Sequence, residues 1–171
     1  MPTYTSIHWP LILKVQSDIA GMTTGVTPRL AGVPTANVLA RKVPYMLDFT
    51  QVTPLPVGKS AWPAIVCCYW DVEGITPFDN KTDDWMFPVL VVLGKFDDDP
   101  NAGADDFKGW RENIMQFFSH PPGGYAITQP AVQFYDVEAV PGPLIDPGKW
   151  LEAGAVAGSI GLKFYTRRDR G

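Results

Sequence analysis

At 171 residues, with 46% hydrophobic and 19% charged residues, the chain has the size and composition of one globular domain able to bury a core without disulfides or structural metals. Its formal charge of -4 at pH 7 speaks against a general nucleic-acid binder, a class that is usually basic, while leaving room for a local basic patch. Proline at 17 and glycine at 16 foretell long irregular connections between few regular elements.

Met1 to Val15 has no basic leader, and its apolar run is broken by Pro10 and Lys14. That run is shorter than the roughly 20 residues a membrane span needs, so no export or anchoring segment is expected. Pro10 suits the first turn of a helix, and Leu11, Val15, Ile19 and Met22 follow a helical spacing, which predicts a helix over about 10–20 ended by Gly21. Residues 23–36, with Gly25, Pro28, Gly32 and Pro34, read as loop, and Asn37 to Val43 as a strand ending before Pro44. Residues 47–63 hold Pro54, Pro56, Gly58 and Pro63 and form a connection.

Ala64 to Trp70 is a second apolar strand. Cys67 and Cys68 are adjacent in it and point to opposite faces, so they cannot bridge locally; buried small hydrophobes in a reducing compartment are the expected reading. Asp71 to Asp84 is polar and turn-rich. Phe87 to Lys95 is apolar on consecutive positions, which predicts a strand covered on both faces. Helices can supply one covering layer; the other must come from further chain or from a second subunit. An antiparallel hairpin with a long loop is the simplest connection between these two strands.

After the acidic loop from Asp97, a helix is expected over 104–119, with Phe107, Trp110, Ile114 and Phe117 on its buried stripe and Asp105 and Asp106 near its positive end. His120-Pro-Pro-Gly-Gly124 stops it. Ala131 to Val140 alternates, with Val132 and Phe134 on one side and Tyr135 and Val137 on the other. Residues 141–155 form a Pro/Gly-rich crossing. The last strand, Val156 to Thr166, faces Ile160, Leu162 and Phe164 one way and ends in Arg167, Arg168 and Arg170. The expected fold is α+β: a single domain with one mixed, mostly antiparallel sheet packed against two helices and long Pro/Gly-rich loops.

No catalytic constellation is legible, and no cofactor, metal or catalytic residue is expected. Gly58-Lys59-Ser60 ends like a phosphate-binding loop, but Thr53 stands where its first glycine belongs. Asp97, Asp99 and Asn101 imitate a calcium loop, but Ala102 and Lys108 occupy its glycine and glutamate positions. Asp71 with Glu73, and Asp136 with Glu138, each place two carboxylates on one strand face, as acid/base or metal-dependent hydrolysis requires, although strand-end charges meeting solvent are commoner. His8 and His120 have no partner at ligand spacing and read as surface or helix-terminal residues. Arg41-Lys42 and Arg167-Arg-Asp-Arg170 could contact phosphate; protein contact is favoured because the chain is acidic and aromatics do not alternate with these charges.

Several stretches in order resemble the tail-completion, or tail-terminator, proteins of tailed phages and prophages. They are Val38-Leu-Ala-Arg-Lys-Val-Pro44, Asn80-Lys-Thr-Asp-Asp84 leading into Phe87-Pro-Val-Leu-Val91, Trp110-Arg-Glu112, Asp136-Val-Glu138, Pro141-Gly-Pro143 with Asp146-Pro147, and the terminal Phe164-Tyr-Thr-Arg-Arg-Asp-Arg-Gly171. The resemblance implies a small α+β subunit that closes into a ring, commonly a hexamer, capping the tail tube and joining it to the neck below the portal. Its implied partners are copies of itself, the tail tube protein and a neck or connector protein, with DNA passing through without sequence-specific binding, no membrane, and assembly in the host cytoplasm into the virion. The chain departs from that family's pattern in its short first helix and its proline-rich 21–63 region. Trp85 beside the loop, Arg41, Lys42, Arg167, Arg168 and Arg170 are the candidate assembly residues.

Overall fold

The computed structural model describes residues 6–42, 63–96, 100–143 and 155–169. The chain runs through α1 (His8–Gly21), a 3-10 turn (Thr35–Asn37), β1 (Val38–Ala40), β2 (Ala64–Tyr69), β3 (Gly74–Pro77), β4 (Thr82–Phe96), α2 (Pro100–Phe118), β5 (Tyr125–Thr128), β6 (Ala131–Phe134), β7 (Asp136–Pro141) and β8 (Ala155–Asp169). The fold is α+β, with two helices on a mixed sheet of six strands in the order β1-β2-β4-β8-β7, β3 pairing with β4 off that path. All its pairings are antiparallel except that of β1 with β2. A small second sheet, β5 with β6, accompanies it.

The 15-residue strands β4 and β8 pair along their whole length, from Thr82 with Asp169 to Phe96 with Ala155. Phe87, Val89, Val91 and Leu93 of β4, with Ile160, Leu162 and Phe164 of β8 and Ile65 and Cys67 of β2, face both helices and are buried. Each such fully buried large side chain contributes about 1.5–3 kcal/mol over an exposed one. On the other face of β4, Val92, with Val66 and Cys68 beside it on β2, is buried within the single chain. On the same face Leu90, opposite Cys68, is half-buried. Cys67 and Cys68 lie on opposite faces, both fully buried, and burial raises the Cys67 thiol and pushes Cys68 up to about 11.

Gly161 of β8 permits one close approach on that second face. A Cβ there would lie 2.1 Å from Cζ3 of Trp70, whose ring covers the glycine. Gly124 is a second requirement: its φ is +79°, and a Cβ would stand 2.2 Å from the Phe134 carbonyl where β5 opens against β6.

α1 begins two residues earlier than the sequence pattern indicates, with Pro10 still in the first turn, where a missing N–H costs nothing. Leu11, Ile12, Val15 and Ile19 are its buried stripe. α2 starts at Pro100, so Asp105 and Asp106 fall in its second turn, past the stretch where the helix dipole acts most strongly. Phe118, one turn after Ile114, takes the buried place expected for Phe117, which stays part-exposed. Trp110 is buried, and its Nε1 donates to the Ala31 carbonyl at 2.9 Å while Asn113 Nδ2 donates to the Arg29 carbonyl at 2.8 Å. These two bonds fasten the irregular 22–34 segment to α2.

Four expectations change. The turn-rich 71–84 region contains β3 and the start of β4, whose apolar alternation is weak because this end of the ribbon is not sandwiched. The expected strand over 131–140 is two strands broken at Tyr135, so that Phe134 and Val137 are both buried and Tyr135 is exposed. The strand expected over 37–43 is reduced to β1, and β8 extends through Arg168 to Asp169. Trp62, the Gly58-Lys59-Ser60 stretch, Asp97 to Asp99, Trp150 and Arg170 lie outside the described residues.

Replacing Trp110 by Ala removes a buried ring and its hydrogen bond together. A loss of about 3–5 kcal/mol in urea unfolding is expected. Gly161→Ala forces the part-exposed Trp70 ring to move, at about 1–3 kcal/mol, with a red shift in tryptophan emission as the ring enters water.

Candidate functional site

The sheet has two unlike halves. Where β4 and β8 lie under the helices, side chains are apolar; beyond Phe87 and Phe164 the paired strands continue to Thr82 and Asp169 with β3 alongside. The register then dictates what meets what. Asp84 stands opposite Arg167, Trp85 opposite Thr166, Asp83 opposite Arg168, and Ile75 opposite Trp85. The hairpin between β3 and β4 closes at Asp79, whose Oδ1 accepts the N–H groups of Lys81 and Thr82, both at 2.7 Å, and these bonds hold the Asp79 carboxyl below its ordinary range.

On one face of this ribbon end the Arg167 guanidinium lies 3.3 Å from the ring centre of Phe78 and 5.8 Å from that of Tyr135, with Nε donating to Asp84 Oδ1 at 3.0 Å. On the other face Arg168 lies 5.2 Å from the Trp85 ring, which itself stacks on Phe87 at 5.9 Å. Ile75, Phe78 and Tyr135 are 54%, 52% and 51% exposed. Phe78 and Tyr135 thus stand largely in water on one face beside Arg167 and Ile75 does so on the other, where Trp85 is half-buried against the core.

Further along the same face, the Tyr165 hydroxyl donates to Glu138 Oε2 at 2.9 Å and Lys163 Nζ lies 3.5 Å from the same oxygen. Burial, helped by that carboxylate, pushes Tyr165 up to about 12. Burial likewise raises Tyr135, with Asp84 adding to the shift.

Of the residues singled out from sequence, Trp85, Arg167 and Arg168 converge here. Arg41 and Lys42 do not: they follow β1 at the far side of the sheet, Arg41 donating its N–H to the Cys67 carbonyl and Lys42 lying 5.9 Å from the Trp9 ring. The sequence matches no family model and no curated protein.

The paired carboxylates proposed for hydrolysis are each committed elsewhere. Asp136 Oδ1 lies 2.7 Å from His120 Nδ1 and also accepts the Val137 N–H, whereas Glu138 serves Tyr165 and Lys163. Asp71 accepts the Val72 N–H, and Glu73 reaches His8. His8 is helix-terminal, the first residue of α1, but it is not at the surface: it is buried under Tyr69 and Phe87. Among the described residues no group of three metal-ligating side chains gathers, and no helix is long and apolar enough to cross a membrane.

Sequence reasoning missed Ile75, Phe78, Tyr135 and Asp84. Their grouping depends on strand register between segments some eighty residues apart; the one local sign is the exposed aromatic beside Asp79-Asn-Lys81, a turn composition.

Arg167→Lys keeps the charge but loses the planar group that fits between two rings and a carboxylate. A fall in stability of about 0.5–1 kcal/mol is expected, with a near-UV circular dichroism change from the released rings.

Proposed function

We propose that this chain is a structural virion protein of a tailed phage, whose copies close into a ring that terminates the tail tube and joins it to the neck and portal. The observation that carries this reading is the ribbon end, a paired, well-braced strand extension with exposed Phe78 and Tyr135 rings beside Arg167 on one face and exposed Ile75 with Arg168 near Trp85 on the other. Tyr, Trp, Phe and Arg are the residues that dominate protein interfaces, and arginines already fixed against rings lose little freedom on docking. A surface of this kind on one edge meeting a different surface of the next copy is a heterologous contact, which closes into a ring when the rotation closes.

The sequence resemblance supplies the rest: six copies, contacts to the tail tube protein on one side and a neck or connector protein on the other, and DNA threading the hole. A chain of net charge -4 favours a lumen along which DNA slides without sticking. The protein acts through shape and assembly in the host cytoplasm and resides in the virion. Another head-to-tail connector or neck protein would use the same surface. A metal-dependent hydrolase built on Asp136 and Glu138 is less favoured, since each carboxylate is engaged with a different partner.

Light scattering after size exclusion, with negative-stain images, tests the proposal on the purified chain alone and mixed with a tail tube protein from the same source. Rings are expected in at least the mixture. Phe78→Ser with Tyr135→Ser should abolish them while the monomer stays folded. A chain that remains monomeric with tail and portal components present, or rings indifferent to both substitutions, would contradict the proposal.

A further inference from the structure

The helical side of the molecule carries an open hollow of about 300 Å³ between the C-terminal ends of α1 and α2. Asp18 and Gly21 of α1 line one side of it, Thr24, Thr27 and Arg29 of the following segment another, and Phe117 of α2 a third. Its charges are divided. α1 has no basic residue in its last turn, so the partial negative charge of its carbonyl end is not offset there. Arg29 is exposed and makes no ion pair among the described residues, and Phe117 leaves 39% of its surface in water.

The hairpin between β3 and β4 turns through Phe78-Asp79-Asn80-Lys81, and all four residues are exposed. Asp79 binds the N–H groups of Lys81 and Thr82, so the turn keeps its shape before it meets anything. Within four residues it presents a ring, an anion and a cation. The hollow presents a ring, a cation and the negative end of a helix.

We infer that the hairpin tip of one copy seats in this hollow of the next, Phe78 against Phe117, Asp79 toward Arg29 and Lys81 toward the carbonyl end of α1. The inference rests on the ring reading and supplies the second surface which that reading needs. A hollow of this size is at the lower limit for a small-molecule site and matches a few side chains of a narrow turn.

One chain cannot make this contact with itself. Ile75 pairs with Trp85 and shares its face with Phe87, which is turned to the helices; Phe78, three residues on and stacked with Arg167, lies on the opposite face. α1 also leads away from the ribbon. It starts with His8 against the Pro88 carbonyl, and Gln16 Nε2 donates to the carbonyl of Val38, which is level with Ile65 and Leu93, farther from Thr82. Tip and hollow therefore join two copies head to tail, a heterologous contact that closes into a ring when the rotation closes. Amides of α1 already bond within the helix, so on this side of the contact any new protection from exchange falls on 25–29.

Complementation between two disabled chains tests the pairing. Thr24→Trp fills the hollow from an exposed position and leaves the tip intact; Phe78→Ser with Tyr135→Ser spoils the tip and leaves the hollow intact. Masses are read by native mass spectrometry under the conditions in which the natural chain forms rings. Neither variant should assemble alone, and an equimolar mixture should give a dimer, held by the one sound contact, and stop there. Arg29→Glu in the natural chain should weaken association by about tenfold, with a larger effect at low salt. Rings formed by Thr24→Trp alone, or a mixture that stays monomeric while the natural chain forms rings, would overturn the inference and leave the ring reading standing. A natural chain that forms no rings even with the tail tube protein removes both. Should Thr24→Trp fail to fold, Arg29→Glu takes its place in the mixture.

Discussion

The pairing of β4 with β8 over fifteen residues is the constraint on which the rest of the structure depends. Half of that ladder is a core element. Its alternate residues meet two helices on one side and are closed on the other, so its register is set by burial: a slip of one residue would turn Phe87, Val89, Val91 and Leu93 out of the core. The other half inherits this register without contributing to it. Asp84 meets Arg167, and Trp85 stands beside Arg168, because Leu162 and Phe164 are fixed farther along. The position of the exposed cluster is thus a mechanical consequence of the core.

This division explains how the exposed end keeps its shape. A two-stranded ribbon in water is marginal. Here β3 adds a third strand, Asp79 ties its turn, and Arg167 fills the space between two rings and a carboxylate. Each exposed contact is worth little alone. Together they reduce the freedom that docking would otherwise remove, which is what makes a small surface effective. His8 and Glu73 brace the same region from below.

What could be read from the residues follows the same line. The buried half was legible: the run from Phe87 to Lys95, the apolar alternation of Ile160, Leu162 and Phe164, and the spacing of Phe107, Trp110 and Ile114 all carry a period that burial imposes. The exposed half was not, since within Thr82 to Met86 only Trp85 packs against the core and the stretch shows no apolar alternation. Tyr135 misled because a single bend shifts the face of every residue after it, bringing Val137 inward. The burial of His8 at its helix terminus was not legible, because its partners, Glu73 and Pro88, are distant in sequence and no spacing rule links them. Arg167 and Arg168 were singled out for their charge; what gives them a role is the aromatic groups beneath them, which only the strand register reveals.

If copies of this chain join as proposed, the ribbon end is the surface through which they meet. Hydrogen exchange, comparing the chain alone with the chain in its assembled state, measures that most directly. Amides of 74–78, 82–86 and 165–169 should gain protection on assembly while those of α1 and β2 change little. Protection gained elsewhere, with the ribbon end exchanging as fast as in the free chain, would contradict the account.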